Sequence, residues 1–133
     1  MTTREGGCLC GAVRYRIEAE PADVAYCHCR MCQRAAGAPV MAWLSVPASA
    51  FAWTRGRPRA YRSSERAGRL FCPDCGAQLA FKVVAEPERI DLTVASLDDP
   101  ASVVPEYHIW VESRLPWFET TDTLPRHRAE RGS

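Results

Sequence analysis

Residues 25–37 read AYCHCRMCQRAAG and crowd Cys27, Cys29 and Cys32 into six positions around His28. Thiols at such spacing hold a metal ion or serve as nucleophiles. The stretch also carries the one convincing helical piece of the chain, expected over 30–36 and stopped by Gly37 and Pro39. Outside it the periodicity changes. Apolar residues alternate, rich in β-branched and aromatic types, over 13–17, 40–46, 79–84, 90–94 and 107–111, which predicts strands. Ten prolines and eight glycines punctuate the short connections between them, as sheets joined by hairpins require. The fold class expected is mainly β with one short helix.

A chain of 133 residues is long enough to bury one core and too short for two. One domain over 1–125 is expected, followed by a charged, solvated and disordered tail over 126–133, RHRAERGS. Seventeen basic and sixteen acidic residues nearly cancel, so overall charge gives no reason to expect nucleic acid or an anionic membrane as partner. No apolar run reaches the length of a signal peptide or a membrane span, and a cytoplasmic protein is expected. In that reducing compartment seven cysteines are not a disulfide framework, and an odd number cannot all pair.

The thiols fall into three groups. Cys8 and Cys10 lie in GGCLCGA, Cys27, Cys29 and Cys32 in CHCRMC, and Cys72 and Cys75 in FCPDCGAQL. In CPDCG the turn lets backbone amides point at both sulfurs while the thiolates reach one tetrahedral ion. A C-x-C pair needs a freely turning backbone to converge, which Gly6, Gly7 and Gly11 supply around Cys8 and Cys10. Joining Cys8 and Cys10 to Cys72 and Cys75 closes a four-thiolate, structural zinc site and leaves Cys27, Cys29 and Cys32 with an open fourth position, as at a catalytic ion. The competing partition joins Cys29 and Cys32 to Cys72 and Cys75 as two zinc-ribbon knuckles and leaves Cys8, Cys10 and Cys27 as bystanders. Spacing alone leaves both open, although only the first gives every cysteine a role.

In an extended segment His28 faces away from Cys27 and Cys29 and is expected to pack rather than ligate. His108 in YHIWVES reads as a partly buried strand residue or a proton carrier, and His127 carries no case. Asp98 and Asp99 in SLDDP read as turn chemistry or as acid/base groups, and Trp110 and Trp117 as core. Arg30 and Arg34, flanking the cluster, are expected to hold an anionic thiol.

The order GGCLCGAVRY, CHCRMCQRAAGAP, FCPDCGAQL, SLDDP and HIWVESRLPWF resembles the glutathione-dependent formaldehyde-activating enzyme family, which includes the domain of centromere protein V. The likeness runs over residues 6–117. It implies a β-tent of antiparallel sheets, a structural zinc on Cys8, Cys10, Cys72 and Cys75, and a labile zinc on Cys27, Cys29 and Cys32. The activity it implies is that of an S-(hydroxymethyl)glutathione synthase, a carbon–sulfur lyase acting on glutathione and formaldehyde. Three thiolates and Zn²⁺ sum to −1, a weak Lewis acid for water but a good seat for a small-molecule thiol, bound as the thiolate that attacks an aldehyde. A non-enzymatic zinc module serving a protein partner and a thiol or metal sensor are the alternatives.

Overall fold

The computed structural model describes residues 3–133. Among these the chain forms strands β1 (Arg4–Gly7), β2 (Arg14–Ile17), β3 (Ala22–Cys27), β4 (Met41–Pro47), β5 (Phe51–Arg55), β6 (Arg59–Arg62), β7 (Ala67–Phe71), β8 (Gln78–Val83), β9 (Arg89–Thr93) and β10 (Tyr107–Ile109), with one α-helix, α1 (Arg30–Ala36). The fold is mainly β, in two sheets. A three-stranded sheet has the order β1-β2-β5, and a seven-stranded sheet has the order β10-β3-β4-β9-β8-β7-β6. The five strands with clear apolar alternation all form within a residue or two of their expected limits, and α1 covers the expected span. Five strands were not foreseen, β1, β3, β5, β6 and β7; of these, REGG in β1 has no large apolar residue, and all four residues of β6, an edge strand, are exposed.

One pairing departs from the antiparallel expectation. β10 runs parallel to β3, with His108 opposite Tyr26 and Ile109 opposite Cys27. A parallel pair needs a long return between its members, and most of the chain lies between these two. No helix of the described residues is long and apolar enough to cross a membrane.

The core fills the space between the sheets. Tyr15 and Ile17 of β2 meet Leu44 and Val46 of β4, Ala80 of β8, and Ile90 and Leu92 of β9, all fully or nearly fully buried. Burial of this kind contributes about 25 cal/mol for each Å² of apolar surface taken from water. Strand parity then fixes what faces the other way, because successive side chains point to opposite sides of a sheet. With Leu44 and Val46 in the core, Trp43 and Ser45 face outward; with Ile90 and Leu92 inside, Asp91 faces out beside them; with Val24 inside, Ala25 and Cys27 do the same. The outer face of the large sheet thus gathers polar and sulfur-bearing residues into a concavity.

The 126–133 segment is docked rather than disordered. Backbone amides of His108, Trp110, Val111 and Glu112 donate to the carbonyls of Pro125, Ala129, His127 and Arg128. Its charges suggested solvation, but β10 is an edge strand with free amides, and pairing with them outweighs the local polarity.

Candidate metal and ligand site

The cysteines assemble into two separate clusters, Cys8, Cys10, Cys72 and Cys75 in one and Cys27, Cys29 and Cys32 in the other, with the sulfurs of each lying within 4.8 Å of one another. The zinc-ribbon partition is thereby excluded. No cysteine of the chain is in a disulfide.

The four-thiol cluster joins the two sheets. Cys8 and Cys10 follow β1, whereas Cys72 and Cys75 sit in the turn between β7 and β8. Cys10 Sγ lies 3.7 Å from Cys8 Sγ and 3.8 Å from Cys72 Sγ. Backbone amides support the sulfurs: Val13 N–H donates to Cys8 Sγ at 3.3 Å and Cys75 N–H to Cys72 Sγ at 3.5 Å. The Ala77 amide is the main cause holding the Cys75 thiol down at about 6. The turn closes through Gly76, at a φ of +78 that L side chains rarely adopt.

The three-thiol cluster forms where β3 passes into α1. Cys27 ends the strand, Cys29 is the N-cap of the helix with extended backbone, and Cys32 lies in its first turn. Cys32 N–H donates to Cys29 Sγ at 3.3 Å, and Cys32 Sγ lies 3.5 Å from Cys27 Sγ. Hydrogen bonds from Cys27 and Cys32, then the Cys32 amide and the nearby Arg69 charge, pull the Cys29 thiol far down against its own burial. Cys27, bonded to Cys29 and Cys32 and buried, is pushed far up. A soft, all-sulfur donor set with amide support is what zinc takes, so both clusters fit that ion.

These three sulfurs line one end of a cavity of about 480 Å³ on the outer face of the large sheet. Trp43, Phe81, Ile109 and Trp110 wall it, so Trp110 belongs to the cavity rather than the core, and Trp117 is 73% exposed. The other end is charged. There Ser45 Oγ donates to Asp91 at 2.6 Å, Arg89 pairs with Asp91 at 3.1 Å and Glu86 at 3.6 Å, and Arg131 pairs with Asp23 at 2.7 Å. Asp23 and Cys27 are four positions apart along β3, at most about 13 Å for an extended strand.

Arg30 and Arg34 do not reach this space. Cys32 and Gln33 are the buried residues of α1, so positions 30 and 34, one helical turn apart, fall on its exposed side. Arg30 donates instead to Gln33 Oε1. The arginine that reaches the sulfurs is Arg69 of β7, whose Nη1 and Nη2 both lie 3.7 Å from Cys32 Sγ. Parity puts Arg69 there: Leu70 packs against the core beside Ala80, so Arg69 and its cross-strand partner Phe81 fall on the cavity face.

His28 turns to the opposite side of the sheet from the cavity. Its Nε2 lies 2.8 Å from Nδ1 of His108, whose Nε2 lies 3.0 Å from Asp122 Oδ1. With the carboxylate accepting from His108 Nε2–H, His108 Nδ1 is an acceptor and His28 Nε2–H its donor. Both rings are buried, and burial is the main cause drawing His28 down to about 4. Asp98 is held below its ordinary range by its hydrogen bonds to Arg14, at 2.8 and 2.6 Å, and does not line the cavity.

The chain is thus a two-sheet β protein with two thiol clusters that could each hold a metal ion, one of them facing a cavity. The sequence profile of the glutathione-dependent formaldehyde-activating enzyme family matches residues 3–113, and the chain belongs to that family. It is 34% identical over 89 residues to an uncharacterized lyase of Schizosaccharomyces pombe, across 61% of this chain and 58% of that protein's length. A crystal structure of a Rhodobacter sphaeroides protein superimposes with a TM-score of 0.61 at 27% identity, covering 76% of this chain and 97% of that one.

Proposed function

We propose that the chain is a carbon–sulfur lyase that joins a small thiol to an aldehyde, and splits the adduct in reverse, at the Cys27, Cys29 and Cys32 cluster. The observation that carries this is the cavity, which is lined both by the three cysteines and by paired guanidinium and carboxylate groups, Arg89 with Asp91 and Arg131 with Asp23. Such a space suits an elongated thiol with a zwitterionic far end. Glutathione has that form, and the family name supports it together with formaldehyde as the aldehyde. The lyase naming of the yeast relative favours the same reaction type.

In this reading Cys8, Cys10, Cys72 and Cys75 hold a structural zinc, and Cys27, Cys29 and Cys32 hold a labile one whose chemistry is to stabilise a bound thiol as its thiolate. The rest is done by the chain. Trp43 and Phe81 exclude water from the sulfur end, while Arg89, Asp91, Asp23 and Arg131 orient the far end of the thiol. In the forward direction the thiol sulfur forms a bond to the carbonyl carbon. The C=O π pair moves to oxygen, which takes up the proton the thiol released, and a hemithioacetal leaves. A cytoplasmic setting, where thiols stay reduced, belongs to this reading.

The test is exchange NMR on glutathione and formaldehyde with zinc-loaded protein. Exchange between free formaldehyde and the adduct is expected to quicken with wild type and to return to the background rate with Cys29→Ser. An unchanged rate at stoichiometric wild-type protein would overturn the reading for this thiol.

A further inference from the structure

We propose that Arg69 is the positioning residue that lets the three-thiol cluster accept an anionic fourth ligand. This rests on the reading that the cluster holds a divalent ion and binds a thiol.

Arg69 is only 7% exposed, and a buried guanidinium needs compensation. No described carboxylate lies within ion-pair distance of it. Its hydrogen-bonding edge is turned to Cys32 Sγ, with both terminal nitrogens at 3.7 Å, and its guanidinium carbon lies 5.1 Å from the centre of the Phe81 ring. Phe81 is its cross-strand partner in the β7–β8 ladder, so the sheet register itself places the pair on the cavity face. Of the other arginines lining the cavity, half-buried Arg89 is taken by Asp91 and Glu86, exposed Arg131 by Asp23, and Arg66 is exposed to water. At the sulfur end, Arg69 is the cation whose partner is a ligand sulfur.

Three thiolates on a divalent ion leave −1, and a fourth thiolate makes −2. With Arg69 bonded to Cys32 the same steps run from 0 to −1. In a site walled by Trp43 and Phe81 that difference is weakly screened, so the guanidinium favours an incoming thiolate over a neutral donor. The four-thiol cluster reaches −2 without an arginine, but its Cys10 is exposed and Cys75 half-buried, and water does there what Arg69 does in the cavity.

The experiment loads cobalt(II) at the three-thiol cluster of wild type, Arg69→Met and Arg69→Lys, and titrates each with 2-mercaptoethanol and, separately, imidazole, following the visible spectrum. In Arg69→Met the affinity for 2-mercaptoethanol is expected to fall by about tenfold or more, the scale of one charge-assisted hydrogen bond, with imidazole affinity held within about twofold. The sulfur-to-cobalt charge-transfer band should move to lower energy, because a thiolate relieved of its hydrogen bond donates more strongly. Arg69→Lys should recover most of the thiol affinity. A thiol-to-imidazole ratio unchanged in Arg69→Met overturns the assignment. Should that variant fail to fold, Arg69→Gln, which keeps an N–H donor without the charge, carries the same comparison. A wild-type protein that takes imidazole but no thiol sinks the function proposed above as well, whereas thiol binding that ignores Arg69 sinks only this inference.

Discussion

The two thiol clusters are built from the same element and are physically unlike. In the first, four sulfurs come from two distant stretches of chain, so any ion they share ties β1 to the β7–β8 turn and staples one sheet to the other. In the second, three sulfurs come from six consecutive positions, and an ion there closes only a local loop at the start of α1. Loop-closure entropy makes the first tie worth more to folding than the second. The second cluster instead faces a cavity and a buried cation. One arrangement is suited to holding the fold and the other to holding a ligand.

The sharpest way to break this contrast is to remove one sulfur from each. Cys72→Ser, at a fully buried position, should abolish the folded state or cost several kcal/mol, on the order of the coupling between metal binding and folding in small zinc domains. Cys29→Ser should retain the folded circular dichroism spectrum and lose one equivalent of zinc by elemental analysis. The reverse pattern would exchange the roles assigned to the clusters. A milder probe follows from the same difference. A graded chelator should withdraw one equivalent of zinc with no change in secondary structure, and the second only together with unfolding; simultaneous loss would mean that the clusters are not independent.

The sequence carried this contrast further than it carried the fold. The three thiol groups were legible because spacing is a local property, and the turn of His28 away from the thiols was legible because strand alternation is local too. Which groups share a site was left open by spacing and is decided by the fold. The parallel β10–β3 pair, the docking of 126–133 and the Asp122–His108–His28 chain were not legible, since each depends on which distant segments the topology makes neighbours. The arginines show the limit well. Arg30 and Arg34 were nearest the cysteines in sequence, but one helical turn puts them on the exposed side, and Arg69, thirty-seven positions from Cys32, reaches it across the sheet. Proximity along the chain was the wrong measure for a charge.

The two regions should also differ in their response to alkali. Tyr15 lies in the core between the sheets, fully buried, with its hydroxyl 2.7 Å from Ser96 Oγ, and burial raises it to about 12. An unfolded tyrosine ionises near 10, so between these values the folded state binds the proton that the unfolded state has released. Stability from this group is complete below about pH 10 and is lost as pH rises toward about 12. Tyr15→Phe should flatten the pH dependence of chemical denaturation in that window while costing about 1 kcal/mol at neutral pH for the lost hydrogen bond. An identical alkaline slope in wild type and Tyr15→Phe would remove Tyr15 as its source.

The smallest effect is expected at the charged rim of the cavity, and it separates holding the fold from shaping the site. Arg131 pairs with Asp23 at 2.7 Å and lies over the Tyr107 ring at 4.3 Å, yet its side chain is 62% exposed and that of Asp23 40%. A pair so open to water contributes at most about 1 kcal/mol. The segment that carries Arg131 is held mainly by backbone hydrogen bonds to β10 and the residues just after it, which a side-chain change leaves in place. Arg131→Ala should therefore shift the denaturation midpoint little. If Arg131 orients the far end of an elongated thiol, the same variant should raise KM for glutathione while leaving kcat near its wild-type value, because the group lies far from the sulfur where the bond forms. A loss of stability much above 1 kcal/mol would make the docked segment part of the structural half of the molecule. A fall in kcat with KM unchanged would place its effect at the thiol cluster instead of the rim.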